Sequence, residues 1–163
     1  MVLGHPETKG SAKGWIVPAR EGRKAHVSIT NDNPDAKQWQ AIVSVTARGA
    51  MARAGFRDLF AGPVEVEIVF FLPRPEGHFG TKGNLLPSAR PMPSVKPDLD
   101  KLERCLLDGL SGVVYVDDCL VCDSRHKKRY ARPGTPEGAR VRVCEIPDDE
   151  CESACLPGAD SAT

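Results

Sequence analysis

The sequence predicts an α+β fold, with a small mixed β-sheet and two main helices in a single domain. Two stretches, residues 33–55 and 98–110, carry apolar side chains at helical spacing. Two others, residues 64–72 and 139–146, alternate apolar and polar side chains as half-buried strands do. The chain has 163 residues, which is enough to bury a substantial core in one domain.

The N-terminal part is predicted to form a basic β-hairpin within residues 4–30. Residues 13–19 and 24–30 are compatible with strands, and the charged segment 20–23 joins them. Cations on a hairpin are usually solvated, although they also suit contact with phosphate groups.

The first helix is predicted to begin at Asn33 and Pro34, a capping side chain followed by a residue that suits the first helical position. It is expected to end at Gly55. Its apolar face is formed by Ala36, Trp39, Ile42, Val43, Thr46, Ala47 and Ala50. Because Trp39 lies on this face, we expect it in the core.

A Pro/Gly-rich connection, residues 74–95, follows the strand predicted at residues 64–72. It shows no periodicity, and structureless connections of this length are usually functional or disordered. Two interpretations therefore stay open, a functional flap that grips the substrate and a disordered loop.

The second helix is predicted from one apolar face made by Leu99, Leu102, Leu106 and Leu110. Pro97 disfavours helical geometry just before it, and Asp98 stands where an N-cap belongs. Gly109 and Gly112 are expected to end the helix. Beyond it, we predict strands at residues 113–116 and 119–124, a basic cluster at 125–130 and a final strand at 139–146.

Four aspartates flank this region in two pairs, Asp98 and Asp100 at the helix start and Asp117 and Asp118 after the predicted short strand. If that strand packs beside the helix, three or four carboxylates converge. Hard cations such as Mg²⁺ take carboxylate oxygens, and such a cluster can hold two ions about 4 Å apart for phosphodiester cleavage. The structural alternative makes Asp98 a cap, pairs Asp100 with Arg104, and makes Asp117-Asp118 a turn.

At these residues the chain resembles the RusA-type Holliday junction resolvases, which are endodeoxyribonucleases of bacteria and bacteriophages. The resemblance is carried by Lys96-Pro-Asp-Leu-Asp-Lys-Leu102, Leu107-Asp-Gly-Leu110 and Tyr115-Val-Asp-Asp118, and more weakly by His5-Pro-Glu-Thr-Lys-Gly-Ser11. It implies a RusA-like fold, a homodimer, and a divalent cation, Mg²⁺ with Mn²⁺ as the alternative ion. It further implies that Asp98, Asp100 and Asp118 are the catalytic, metal-binding residues, with Asp117 as an additional metal ligand.

The resemblance also bears on cations near the carboxylates. Some members of the family have lysine one helical turn after the second aspartate, where this chain has Arg104. Arginine keeps the charge but does not give up its proton, so Arg104 can contact phosphate and cannot transfer a proton. Lys101 is a second candidate for contact with the transition state or the phosphate. The residues predicted to contact the DNA backbone are Lys9, Lys13, Arg74, Lys82, Lys96, Lys127 and Lys128.

The charge distribution agrees with a nucleic-acid partner. The chain has 22 basic and 22 acidic residues, but six of the acidic ones lie in residues 145–163, which contain no Lys or Arg. Residues 1–144 therefore hold 22 basic and 16 acidic residues, a net charge of +6. We predict a basic endonuclease domain at residues 1–146 and an acidic, disordered tail at residues 147–163.

Other classes of protein are disfavoured. No apolar run approaches the roughly 18 residues that cross a bilayer, and the N-terminus lacks the apolar core of a signal peptide, so we expect a cytoplasmic protein without membrane contact. No Walker loop is present, so no nucleotide cofactor is expected. Cys119 and Cys122 have the spacing of zinc ligands, but in a strand their side chains would point to opposite faces, which disfavours a zinc site.

The predicted function is a Mg²⁺-dependent, structure-selective endodeoxyribonuclease that resolves four-way junctions by paired symmetric nicks, in DNA recombination and repair. Paired nicks require two active sites about a two-fold axis, which a homodimer supplies. Two alternatives remain, a nuclease for other branched DNA and a catalytically idle protein that binds junctions.

Overall fold

The computed structural model describes residues 1–10, 12–20, 22–31 and 33–147. Within them it contains six strands and two α-helices, so the predicted α+β class with a mixed sheet is confirmed. The predicted acidic tail lies, apart from residue 147, outside the described residues. In chain order the elements are β1 (Val2–Leu3), β2 (Ala12–Val17), β3 (His26–Asn31), α1 (Ala36–Ala54), β4 (Val64–Leu72), α2 (Leu99–Leu110), β5 (Val121–Tyr130) and β6 (Gly138–Glu145).

The main sheet has the strand order β1-β6-β4-β5. Strand β4 pairs parallel with β5 and antiparallel with β6, and β1 adds a short antiparallel edge beside β6. Buried and half-buried side chains alternate without interruption along β4, as its apolar-polar sequence predicts. The buried set is Val64, Val66, Ile68, Phe70 and Leu72.

Both helices pack on the face of the sheet to which these buried side chains point. Trp39 and Val43 from α1 join Leu102 and Leu106 from α2 in one core with Ile68, and each is at most 1% exposed. The prediction that Trp39 is a core residue is therefore confirmed. On the opposite face of the sheet, the described part of the chain places no helix.

Helix α1 begins and ends close to where the sequence predicts. The Asn33 side chain accepts a hydrogen bond from the N–H of Asp35 at 3.1 Å, just before the first helical residue. At the other end Gly55 adopts a φ of 83°, which is unstrained only for glycine, and the Phe56 N–H closes the last turn on the Met51 carbonyl. Neither α1 nor any other described helix is long and apolar enough to cross a membrane.

Helix α2 corrects one prediction about glycine. Gly109 does not end the helix; it is a buried residue inside it, where α2 crosses α1. A Cβ on Gly109 would lie 3.0 Å from Val43 Cβ and 3.1 Å from the Gln40 carbonyl oxygen. The absence of a side chain is therefore what lets the two helices approach. Gly112, with a φ of 69°, follows the helix as predicted.

The segment after α2 corrects two further predictions. Residues 113–116 form a turn with isolated bridges, not a strand, because Tyr115 makes only single-residue contacts with Phe60 and Ser111. Asp117 and residues 118–120 then form a 3₁₀ turn, so Cys119 lies before the strand and not within it. Strand β5 begins at Val121 and runs through the whole basic cluster.

The N-terminal hairpin is confirmed, with β2 and β3 forming a separate two-stranded antiparallel sheet. Neither strand makes more than marginal contact with the other helices and strands. Trp15, Ile16 and Val27 are between 50% and 74% exposed on it. The hairpin therefore packs little against the rest of the described fold, and these three apolar side chains stay exposed.

Candidate active site

Asp98 occupies the N-cap position of α2, with extended backbone angles and no capping hydrogen bond from its side chain. Its backbone carbonyl accepts the Leu102 N–H at 3.1 Å, while its carboxylate lies 3.6 Å from Lys101 Nζ. The Asp98 side chain is 47% exposed. Its oxygens are therefore not occupied by helix capping and remain accessible to a ligand.

Asp100 lies in the first turn of α2 and Arg104 one turn later, and both are exposed. Across the described ranges neither side chain has a hydrogen-bond or ion-pair partner, so the structural alternative, an Asp100–Arg104 pair, is not formed. The first turn of a helix favours an anion because the backbone N–H groups there are unpaired. Asp100 thus presents a free carboxylate at a position that stabilises negative charge.

Asp117 and Asp118 sit at the start of the 3₁₀ turn that leads into β5. Asp117 Oδ1 accepts the Cys119 N–H at 3.0 Å. This bond holds the pKa of Asp117 below its ordinary value, because it stabilises the charged carboxylate. The acceptor Asp117 in turn raises the pKa of the Cys119 thiol. Asp117 therefore caps the turn that presents Asp118.

The four aspartates do not form one preassembled cluster. In the described part of the chain, no three His, Cys, Asp or Glu side chains are arranged to hold a metal ion. The predicted strand at residues 113–116, which was expected to bring the carboxylates side by side, is absent. Mg²⁺, however, typically takes one or two carboxylates and completes its shell with water and substrate phosphate. The exposed oxygens of the two aspartate pairs fit that chemistry.

Tyr115 lies between the carboxylates and the core. Its hydroxyl donates to the Leu107 carbonyl oxygen at 3.1 Å, and the residue is fully buried. Burial raises the pKa of Tyr115 far above its usual range, and the nearby negative charges of Asp118 and Asp108 raise it further. The phenol therefore stays protonated and anchors the segment that carries Asp117 and Asp118.

Lys127 and Lys128, predicted to share a role, lie on opposite faces of β5. Lys127 pairs with Val69 of β4 on the open face, and Lys128 pairs with the buried Phe70 on the helix face. Lys128 Nζ donates to the carbonyl oxygens of Val95 at 2.6 Å and Pro97 at 2.7 Å. It therefore holds the segment immediately before Asp98.

Two other predicted DNA contacts are engaged within the protein. Lys9 Nζ lies 2.8 Å from Asp108 Oδ2, on the outer part of α2. Arg74 donates to the Arg90 carbonyl at 3.0 Å and stacks 4.2 Å from the ring centre of Tyr130, so it fastens the loop of residues 74–95 to the end of β5.

Of the three remaining residues predicted to contact DNA, the structure describes the side chains of two. Lys82 is exposed on the loop of residues 74–95, and Lys96 is exposed directly after it. Lys13 belongs to β2, but its side chain lies outside the described part of the structure.

Sequence reasoning missed a polar cluster between α2 and β5. Glu103 accepts one hydrogen bond from Ser124 Oγ, and its carboxylate lies 2.9 Å from His126 Nδ1. The Glu103 side chain is only 16% exposed. Helical spacing alone places Glu103 near Asp100, but Ser124 and His126 become visible only once the register of β5 is known.

Comparison with known proteins identifies the family. A model of the endodeoxyribonuclease RusA matches residues 16–143, which include β4, α2, β5 and all four aspartates. The chain is also similar to the "Uncharacterized protein YqaN" of Bacillus subtilis (strain 168), with 27% identity over 144 residues that cover 87% of this chain and 90% of that protein. The matched residues span most of the chain, so the protein belongs to the RusA endodeoxyribonuclease family.

Proposed function

We propose that the protein is a Mg²⁺-dependent endodeoxyribonuclease that resolves four-way DNA junctions by paired symmetric nicks. The observation that carries this proposal is the family match over residues 16–143, combined with accessible carboxylates at the start of α2 and before β5. The basic body of the chain supports a nucleic-acid substrate over a small phosphate ester.

Asp98, Asp100 and Asp118 would hold the metal, and Asp117 would assist. Their donors are carboxylate oxygens, which suit a hard cation, and Asp98 and Asp100 are exposed and uncapped. When bound, Mg²⁺ would polarise the scissile phosphate and lower the pKa of a bound water. The aspartates bind and orient, and Asp117 keeps Asp118 in place through its bond to the Cys119 N–H.

Arg104 and Lys101 are the cations of α2 nearest in sequence to Asp100. Arg104 is exposed, and we assign it to the charge that develops on the phosphate during cleavage. Its guanidinium keeps its proton, so general-acid chemistry falls to water and not to this side chain. Lys101 is partly engaged with Asp98 and would contribute by keeping that carboxylate oriented.

DNA contacts would come from the loop and the N-terminal segment. Lys82 is exposed on the loop of residues 74–95, Lys96 is exposed two residues before Asp98, and Lys13 belongs to strand β2 of the hairpin. Phosphate contacts of this kind position the substrate without reading its sequence. A homodimer would place two such sites about a two-fold axis, one for each nick.

A catalytically idle junction-binding protein is the second candidate. The observation that favours it is the lack of a three-carboxylate group in the described residues. The variant Asp100→Asn distinguishes the nuclease from the idle binder. The matched control is Asp58→Asn, which changes an exposed aspartate in the loop after α1.

For a nuclease, Asp100→Asn lowers the cleavage rate at least about 100-fold while junction binding persists, because the lost group stabilises the transition state. Asp58→Asn should cleave at the wild-type rate. If the wild-type protein binds junctions but cuts none with Mg²⁺ or Mn²⁺, the idle binder replaces the nuclease.

A further inference from the structure

The open face of the main sheet, opposite to both helices, carries a dense group of cations. Register places Lys127 and Arg129 of β5 on this face beside Val69 and Phe71 of β4. Strand β6 contributes Arg140 and Arg142, and Arg132 follows β5. Together these residues line one shallow groove, here called the basic sheet face: Lys127, Arg129, Arg132, Arg140 and Arg142, with Glu67, Val69 and Phe71 as its floor.

The described residues neutralise little of this charge. Among them, Glu67 is the one carboxylate that lines the groove, and it lies 3.9 Å from Arg142, a loose contact between exposed groups. Lys127 forms no hydrogen bond or ion pair with residues that the structure describes. Counting residues 1–147 as far as the structure describes them, five cations and one anion line the groove.

Aromatic and backbone contacts orient two of the arginines without removing their charge. The Arg140 guanidinium lies 5.6 Å from the ring centre of Phe71. Arg129 donates one bond, to the Lys128 carbonyl at 2.9 Å, and its other N–H groups have no partner among the described residues. Held side chains lose less conformational freedom when they bind a ligand.

The charge on this face is polarised along the strands. The acidic residues Asp123 of β5 and Glu65 of β4 are neighbours in the strand register, near the start of both strands. There Arg125 contacts Asp123 at 3.2 Å. Solvated sheet faces usually mix both signs, whereas here one end is almost wholly positive. Cations on one strand and one face repeat about every 6.7 Å, and those on β5 and β6 are about 10 Å apart.

We propose that the basic sheet face binds the phosphate backbone of a duplex DNA arm, on the side of the sheet away from the α2 carboxylates. This inference rests on the proposed function and gives the substrate a second contact remote from the scissile phosphate. A polyanion with closely spaced charges matches the sign and the spacing of the cations on this face. A second copy of the chain would bring like charges together here, which disfavours a dimer interface at this face.

The test compares two triple variants in the full chain, both carrying Asp100→Asn so that DNA stays intact. One is Lys127→Gln, Arg129→Gln and Arg140→Gln. The matched control removes three exposed cations of α1 through Lys37→Gln, Arg48→Gln and Arg53→Gln. Affinity for a four-way junction is measured over a range of salt, with full-length arms and with arms shortened to a few base pairs.

The basic-face variant should lose at least tenfold in affinity for the long-armed junction, and its salt slope should fall by roughly 2 to 3, about 0.9 for each lost contact. The α1 control should keep the wild-type affinity, and shortening the arms should abolish the difference between the two. The proposal would be overturned if both variants bound the long-armed junction with equal affinity, or if their difference in affinity persisted on short arms. A change in the oligomeric mass of the basic-face variant would also overturn it. Because binding is the readout, a wild-type protein that fails to cleave junctions would sink the proposed function without deciding this test.

Discussion

Asp98 and Asp117 occupy equivalent N-cap positions but use their carboxylates differently. Asp117 accepts the Cys119 N–H, whereas Asp98 makes no capping bond and faces solvent. A cap bond fixes one carboxylate oxygen and lowers the pKa, while an uncapped carboxylate keeps both oxygens for a ligand. This difference supports Asp98 as a metal ligand and Asp117 as the residue that orients Asp118.

The two tryptophans give a matched test of the core. Trp39 is 1% exposed and Trp15 is 50% exposed. Trp39→Ala should lower the free energy of unfolding by about 3–5 kcal/mol, because it empties a large part of the core. Trp15→Ala should change it by only about 0.5 kcal/mol. Urea unfolding measures both, and equal losses would contradict the core described for α1.

Cys105 predicts a pH dependence of stability. Burial raises the pKa of its thiol from 9.0 to about 12, and the nearby charge of Asp108 adds to the rise. Above pH 9 the unfolded chain loses this proton while the folded chain keeps it, so the unfolded state binds fewer protons and stability falls as pH rises toward 12. Below pH 9 the contribution is fully present.

Cys105→Ala should therefore flatten the decline of unfolding free energy between pH 9 and about 12. Tyr115, whose shift has the same sign, remains in both proteins as a common background. Urea unfolding below and within this pH window compares the two slopes. Identical slopes in the variant and the wild type would show that the thiol is not buried in the native state.

The sequence was enough to select Lys127 and Lys128 as candidate DNA contacts, but it did not show that they lie on opposite faces of β5. The sequence shows only two adjacent cations, and the face of each depends on where β5 begins and how it pairs. A shift of one residue in register would exchange the two faces. The same limit hid the contacts of Glu103 with Ser124 and His126.

At the scale of elements, the α1–α2 crossing depends on Gly109. Gly109→Ala should cost about 1–3 kcal/mol, because the added Cβ meets Val43 and the Gln40 backbone. The control is Gly49→Ala in α1, where the added Cβ meets only the flexible end of Arg53. That change should stabilise the helix by roughly 0.5–1 kcal/mol. Thermal unfolding of both variants checks the signs, and a neutral Gly109→Ala would refute the close crossing.

Lys128 links β5 to the start of α2 through the Val95 and Pro97 carbonyls. Lys128→Met should slow cleavage by about 10- to 100-fold at saturating DNA, because a small displacement of Asp98 misaligns the site. Lys127→Met, on the opposite face, should instead weaken DNA binding and reduce the salt slope by about 0.9. Single-turnover cleavage and salt titrations separate the two, and interchangeable effects would contradict the assigned faces.

Helices and strands whose sequence shows a regular apolar pattern were predicted well. Those whose position depends on pairing with distant strands were not. The alternation of β4 and the apolar stripes of both helices are visible in the sequence because each buries one face. Strand β5 is an edge strand whose polar and charged residues resemble a loop, and such residues are common at sheet edges. Gly109 looked like a helix end because its neighbour Val43 is distant in sequence.

At the scale of the whole molecule, the packing of both helices on one side of the sheet gives the protein two chemically different faces. The α2 carboxylates lie on the helix side, and the basic sheet face lies on the other. The strand order β1-β6-β4-β5 that creates this division joins distant segments, so it could not be deduced from local patterns. The homodimer remains a proposal that follows from the need for two nicks.

The most direct test of the central claim is to map cleavage of an immobile four-way junction by the full-length protein in Mg²⁺. Linear duplex, chelated metal and Asp100→Asn are assayed in parallel. We expect paired nicks at symmetric positions in two strands of the junction, with none in the duplex, without metal or with the variant. Tight junction binding without cleavage under any divalent ion would contradict the assignment of a junction-resolving nuclease.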